Sequence, residues 1–104
     1  MHWLALVVVA FAVAASQTTL AQPADSARAR NLAATCTSCH GTNGVSQGLI
    51  ATLAGVPKAD IVQKLQDFKT GRTPGTVMPQ IVKGYTDEQI DLIAGWFATQ
   101  KAER

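Results

Sequence analysis

The sequence of 104 residues lacks the features that mark several common classes of protein. Its formal net charge is only +2 at pH 7, and its Lys and Arg residues are scattered along the chain. Binding of nucleic acid needs a clustered basic face, so we expect no nucleic-acid partner. No segment alternates polar and apolar residues with the period of two that is typical of strands, and no segment is repeated. These absences favour one small helical domain.

The sequence also lacks an apolar run long enough to cross a membrane. The longest run, in residues 3–15, is shorter than the ~20 residues that a transmembrane helix needs. It suits the apolar part of a secretory signal, with cleavage after Ala21. We therefore expect a signal peptide at residues 1–21, one exported domain at 22–104 and a periplasmic location. Because no Lys or Arg precedes Arg28, an uncleaved, weakly anchored segment stays open as the alternative, and membrane contact is expected only in that case.

Three segments have the apolar spacing and end signals of helices, namely 25–35, 58–69 and 87–101. The first is predicted to end directly before Cys36. Thr86 and Gln89 have the spacing of a capping box at the start of the third. Two loops that contain Gly and Pro, 41–56 and 70–85, join the helices. Loops of this length are unusual in a small domain unless they are functional, so we expect an all-α domain whose loops wrap a ligand.

Residues 36–40, Cys-Thr-Ser-Cys-His, have the spacing of a c-type haem attachment site. Two thiols on one turn can each form a thioether bond with a haem vinyl group, and the adjacent imidazole then lies under the iron. The alternatives are a redox disulfide and half of a zinc site. Zinc usually takes four ligands and a thioredoxin-like site needs a strand before its helix, and the sequence offers neither. The motif therefore predicts one covalent haem c, bound by Cys36, Cys39 and His40, with His40 as an iron ligand.

The second axial ligand follows by elimination. After residue 21 the chain has no His besides His40 and no Met besides Met78. Met78 lies in a predicted loop between Pro74 and Pro79, whose restricted backbone helps to hold a weak thioether ligand. A lone Met is more commonly a filler of core gaps. Because His/Met ligation is the cytochrome c arrangement, Met78 is predicted to bind the iron; Lys83 is the nearby nitrogen donor that would replace it at high pH.

Further residues are candidates for the pocket and its rim. Apolar residues are expected either to wall the pocket or to belong to the core: Val45, Leu49, Ile50, Leu53, Leu65, Phe68, Val77 and Ile81. Tyr85 is expected to bond a haem propionate or to cap its loop. Basic residues either surround the exposed haem edge and attract an acidic partner or form a solvated surface: Lys58, Lys64, Lys69, Arg72 and Lys83.

With these features, residues 24–102 resemble the class I bacterial cytochromes c. The motif near the start of the exported domain, the Met in a Pro-bearing loop and the amphipathic last helix carry the resemblance. Within the class, the chain is similar to the cytochrome subunit of flavocytochrome c sulfide dehydrogenase in four segments: Gly41-Thr42-Asn43-Gly44, Leu53-Ala54-Gly55, Thr76-Val77-Met78 and Lys83-Gly84-Tyr85-Thr86-Asp87-Glu88. The resemblance implies the all-α class I cytochrome c fold, with three main helices and loops around one haem c.

Two further expectations rest on the resemblance. Leu32 is expected to pack with Trp96 or Phe97 where the first and last helices cross. Such cytochromes commonly carry Pro two residues before the Leu-Ala-Gly segment, and its carbonyl accepts a hydrogen bond from Nδ1 of the haem-ligating histidine. Ala51 occupies that position in this chain. We expect Ala51 or a neighbour to accept the bond from His40.

Together these features predict an electron-transfer protein rather than an enzyme. With His and Met on both sides of the iron, no position is open to a substrate. The chain is expected to carry single electrons, either as a soluble carrier or as the electron-transfer subunit of a dehydrogenase. Its expected partners are redox proteins, such as a flavoprotein dehydrogenase subunit or a terminal oxidase. The alternative is a haem sensor or peroxidase-like enzyme in which Met78 dissociates and opens a coordination site.

Overall fold

A computed structural model of the chain describes residues 24–102. The elements in this range are all helical: α1 (Ala24–His40), a 3₁₀ turn (Thr42–Gly44), α2 (Lys58–Thr70), α3 (Met78–Val82) and α4 (Asp87–Ala98). The described part of the chain contains no β-strand, and none of its helices is long and apolar enough to cross a membrane. The predicted signal peptide, residues 1–21, lies outside the described residues. The predicted all-α fold with three main helices is confirmed.

Helix α1 is longer than its sequence predicts. It was expected to end at Thr35, but it continues through the Cys-x-x-Cys-His motif to His40. The prediction was wrong because Thr, Ser and Cys are poor helix formers when only local propensity is weighed. In the folded chain Cys36 packs against the core, and the Thr37 hydroxyl donates to the Ala34 carbonyl at 2.6 Å. Packing and this bond extend the helix by a further turn.

Helix α2 begins and ends on its predicted signals, and α4 begins on its predicted signal but ends at Ala98, before the predicted end at residue 101. Pro57 precedes α2, and Gly71 follows it in the left-handed conformation at φ 81°. At the start of α4 the Thr86 hydroxyl accepts from the Gln89 amide at 3.1 Å, and the Gln89 side-chain oxygen accepts from the Thr86 amide at 2.9 Å. The predicted capping box is confirmed, and such caps contribute about 1 kcal/mol each.

The core lies where α4 packs across α1 and α2. Its fully or nearly fully buried members come from these three helices: Ala33, Ile61, Ile93, Ala94 and Phe97. Leu32 and Trp96 are half-buried and pack against this cluster, as expected from the resemblance. The rings of Trp96 and Phe97 meet edge to face, with centroids 5.0 Å apart at 79°. This crossing fixes the end of α1, and therefore the Cys-x-x-Cys-His motif, relative to α2 and α4.

Carboxylates in the first two turns of α4 bind cations on the other two long helices. The pairs are Glu88 with Arg28 at 2.7 Å, Asp91 with Lys58 at 2.9 Å and Asp87 with Lys69 at 3.2 Å. Apart from Lys69, the paired side chains are well exposed to solvent, so each pair contributes between about 0 and 1 kcal/mol. Lys58 and Lys69 therefore bind partners within the chain, as Arg72 does with Asp67 at 4.0 Å.

Candidate functional site

The end of α1 presents the three residues of the predicted attachment motif. Cys36 and His40 are four residues apart and so lie on one face of the helix. Cys36 is half-buried, Cys39 is exposed, and both thiols are free. Burial raises the pKa of the Cys36 thiol, with a backbone hydrogen bond acting against this and the neighbouring Cys39 adding to it. Because both cysteines are free, both sulfur atoms are available for covalent attachment.

His40 is oriented by a backbone carbonyl. Its Nδ1 lies 2.7 Å from the carbonyl oxygen of Ala51, as predicted from the resemblance. Because a carbonyl oxygen only accepts, Nδ1 must carry the proton and donate it. In the neutral imidazole the other ring nitrogen, Nε2, is then unprotonated and has a free lone pair. This is the arrangement that a histidine needs as a metal ligand.

The loop between α1 and α2 holds Ala51 in place. Gly41 ends α1 at φ 87°, and a Cβ there would lie 2.0 Å from the Val45 carbonyl oxygen, so only glycine fits. The buried Ser46 donates its amide proton to the Thr52 hydroxyl at 3.1 Å. The Leu53 amide donates to the Gly44 carbonyl at 2.8 Å. Each of these two bonds joins a residue before Ala51 to a residue after it, so the loop is closed around Ala51 without a proline.

Met78 lies at the first position of a short helix rather than in a loop. The sequence predicted an irregular segment over 70–85, whereas α3 begins at Met78 and has Pro79 in its first turn. Proline suits this position because its fixed φ is helical and the missing amide has no partner there. Helix α3 packs on α2, with Gly75 so close that a Cβ would lie 3.1 Å from Pro79 Cδ and 3.4 Å from Phe68 Cε1. Met78 itself is half-buried.

Three large aliphatic side chains beside these residues face solvent. Leu49 is 108% exposed, Ile50 47% and Val77 58%. Ile50 directly precedes Ala51, and Val77 directly precedes Met78. Exposed apolar side chains of this size can contact an apolar ligand or a partner. Of the predicted walls, Leu53 and Leu65 instead pack against the core.

The donor set fits a haem better than a metal ion bound by protein alone. In residues 24–102, no three His, Cys, Asp or Glu side chains converge in a way that would hold a metal ion. The residues instead offer two free thiols on one turn, an imidazole oriented by a backbone carbonyl, a thioether and three exposed aliphatic side chains. Thiols, His and Met are the groups that hold haem in cytochromes c.

Comparisons with known proteins show the family to which the chain belongs. No family model matches the chain. The chain is 41% identical over 76 residues to the cytochrome subunit of sulfide dehydrogenase from Chlorobaculum tepidum, an alignment that covers 73% of this chain and 69% of that protein. It is 32% identical over 75 residues to cytochrome c-553 from Desulfomicrobium norvegicum, covering 68% of this chain and 92% of that protein. The chain therefore belongs to the class I cytochromes c and resembles the cytochrome subunit of sulfide dehydrogenase.

Proposed function

We propose that residues 22–104 form a periplasmic cytochrome with one covalent, His/Met-ligated haem c that carries single electrons. The 2.7 Å bond from His40 Nδ1 to the Ala51 carbonyl carries this proposal, because it leaves Nε2 free at the end of a Cys-x-x-Cys-His helix. A histidine without such a partner would not have a defined tautomer or ring orientation.

Each residue of the site has a separate role in this proposal. The thiols of Cys36 and Cys39 anchor the haem covalently, and His40 binds its iron through Nε2. Met78 would supply the second protein ligand of the iron, and with both ligands in place no coordination position would be left for a substrate. When bound, the haem supplies reversible one-electron cycling between Fe(II) and Fe(III). Ile50 and Val77 exclude water from its edge, and exclusion of water disfavours the more highly charged oxidised iron.

The proposal also includes how the protein reaches the periplasm and with which protein it exchanges electrons. Residues 1–21 act as the signal peptide, cleaved after Ala21, and haem is attached to the free thiols after translocation. The named relative from Chlorobaculum is a subunit of a sulfide dehydrogenase. We propose the corresponding role for this chain, as the electron-transfer subunit that accompanies a flavoprotein dehydrogenase subunit. If the chain instead acts as a free carrier, a terminal oxidase is the candidate electron acceptor.

Mass spectrometry and visible spectroscopy of the exported protein test this function. The expected mass is that of residues 22–104 plus one haem, and it should persist after denaturation because the thioether bonds are covalent. Met78→Ala should abolish the sulfur-to-iron absorption band of the oxidised protein and lower the potential, whereas Gln80→Ala, an exposed change on the same helix, should leave both unchanged. An unaltered spectrum in Met78→Ala would disprove the ligation. Carbon monoxide binding to the reduced wild type at neutral pH would instead favour the sensor or peroxidase-like alternative.

A further inference from the structure

Lys69, in the last turn of α2, reaches across to the junction between α3 and α4. Its Nζ donates to the backbone carbonyl of Tyr85 at 2.7 Å and to Asp87 Oδ1 at 3.2 Å. Gln66, one turn earlier on α2, donates to the same Asp87 oxygen at 2.9 Å. The Lys69 side chain is only 28% exposed, the least of the cations in the described ion pairs. Its ammonium therefore faces the protein rather than a partner, in contrast to one of the two roles that the sequence left open for it.

The carbonyl that Lys69 binds belongs to Tyr85, the last residue of the segment that carries Met78, residues 71–85. This segment leaves α2 at Gly71, where the Thr73 amide donates to the Asp67 carbonyl at 3.0 Å. It then forms α3, and the Tyr85 amide donates to the Val82 carbonyl at 3.1 Å. Within the described residues the Tyr85 carbonyl has the Lys69 ammonium as its only recorded partner.

We propose that Lys69 is a positioning residue for Met78, an inference that rests on the proposed ligation of iron by Met78. By binding the Tyr85 carbonyl, Lys69 ties the far end of the Met78 segment to α2, the same helix on which α3 packs. A thioether is a weak ligand, so its occupancy of the iron depends on how firmly the protein holds the segment. Without Lys69, the conformations in which Met78 has left the iron become more populated.

Imidazole binding to the oxidised holoprotein measures that population directly. Imidazole takes the iron only after Met78 has left, so its apparent affinity rises in proportion to the fraction of open protein. Lys69→Met keeps the aliphatic stem and removes the ammonium. The bond that is lost joins a charged donor to a carbonyl, which makes it stronger than a neutral hydrogen bond, and its partial exposure reduces its contribution. We expect imidazole to bind about tenfold more tightly to Lys69→Met than to the wild type, and Lys69→Arg, which keeps a cationic donor, to recover most of the difference.

Two control variants separate positioning from charge and from general loss of stability. Lys64→Met removes the same charge from an exposed position of the same helix, where the described residues show no ion pair. Lys58→Met breaks the ion pair that joins the start of α2 to α4, at the other end of α2 from Lys69. Both should bind imidazole as the wild type does, even if Lys58→Met lowers the unfolding midpoint.

The outcomes distinguish this inference from the proposed function. If the oxidised wild type lacks the sulfur-to-iron band, the ligation by Met78 fails and the role of Lys69 fails with it. If the band is present and Lys69→Met binds imidazole with wild-type affinity, only the positioning role is overturned. An equal rise in the affinity of Lys58→Met for imidazole would also overturn it, because the effect would then follow global stability.

Discussion

Gly44→Ala is the substitution whose effect the structure predicts most sharply. Gly44 ends the 3₁₀ turn after the motif and has φ 81°. A Cβ at this position would lie 2.6 Å from Cδ1 and 2.9 Å from Cε1 of Phe97, a ring with no exposed surface. The Gly44 carbonyl also accepts from the amides of Leu53 and Ala54 at 2.8 and 3.2 Å. Any shift of Gly44 therefore moves both the core and the loop that holds Ala51.

Two terms set the magnitude of the loss. An L side chain in the left-handed conformation costs about 1–2 kcal/mol. Forcing an extra methyl group against a buried ring costs a further 1–3 kcal/mol, roughly, because the core is close-packed. We expect Gly44→Ala to lower the free energy of unfolding by about 2–5 kcal/mol. Gly48 in the same loop is the matched control, since its φ is not left-handed and no heavy atom lies within 4 Å of its Cβ position, so Gly48→Ala should change stability by less than about 0.5 kcal/mol.

Urea unfolding of the holoprotein, followed by far-UV circular dichroism, measures these differences. The contact with Phe97 is isolated by a double-mutant cycle. In a Phe97→Leu background the cost of Gly44→Ala should fall by about 1 kcal/mol, while the backbone strain remains. A loss below about 1 kcal/mol for Gly44→Ala in the wild-type background, or a loss equal to that of Gly48→Ala, would refute the reasoning.

Three further predictions concern helix α4. Gly95→Ala should raise the free energy of unfolding by about 0.5–1 kcal/mol in the same assay, because a helix interior favours Ala over Gly. The added Cβ has room, since the nearest heavy atoms, on the Lys58 side chain, lie 3.8 Å away. A decrease in the free energy of unfolding would mean that the site is tighter than these distances. Phe97→Ala should lower the free energy of unfolding by about 3–5 kcal/mol, because the core loses its largest fully buried side chain. A decrease of less than about 1 kcal/mol would contradict the placement of the core. Hydrogen bonds from Gln66 and Lys69 and the charge of Lys69 lower the pKa of Asp87 from 3.8. As pH falls, the unfolded chain takes up this proton first, so the stability due to the pairing is complete well above pH 3.8 and is lost as pH falls through the lowered folded value. Asp87→Asn should reduce the slope of unfolding free energy against pH in this acid range, and an unchanged slope would argue against the pairing.

The bounds of α2 and the start of α4 were predictable because their causes are local. The signals that set these bounds act within one turn of the backbone, so the interacting residues are close together in the sequence. They are Pro57, Gly71 and the capping box of Thr86 and Gln89. The end of α1 and the existence of α3 were not predictable in this way. The extra turn through Cys36 and the helix that starts at Met78 depend on packing against residues distant in the sequence.

In the candidate site too, some features follow from the sequence alone and others depend on the tertiary structure. The sequence alone determined which donors are available, because after residue 21 it has only Cys36, Cys39, His40 and Met78 of the thiol, imidazole and thioether types. Their role as haem ligands stays a prediction until the spectra are measured. Tertiary structure decided how they are held: which carbonyl orients His40, at 2.7 Å, and which ammonium secures the end of the Met78 segment. A donor type is a property of one residue, whereas its orientation depends on contacts between segments that only the folded chain brings together.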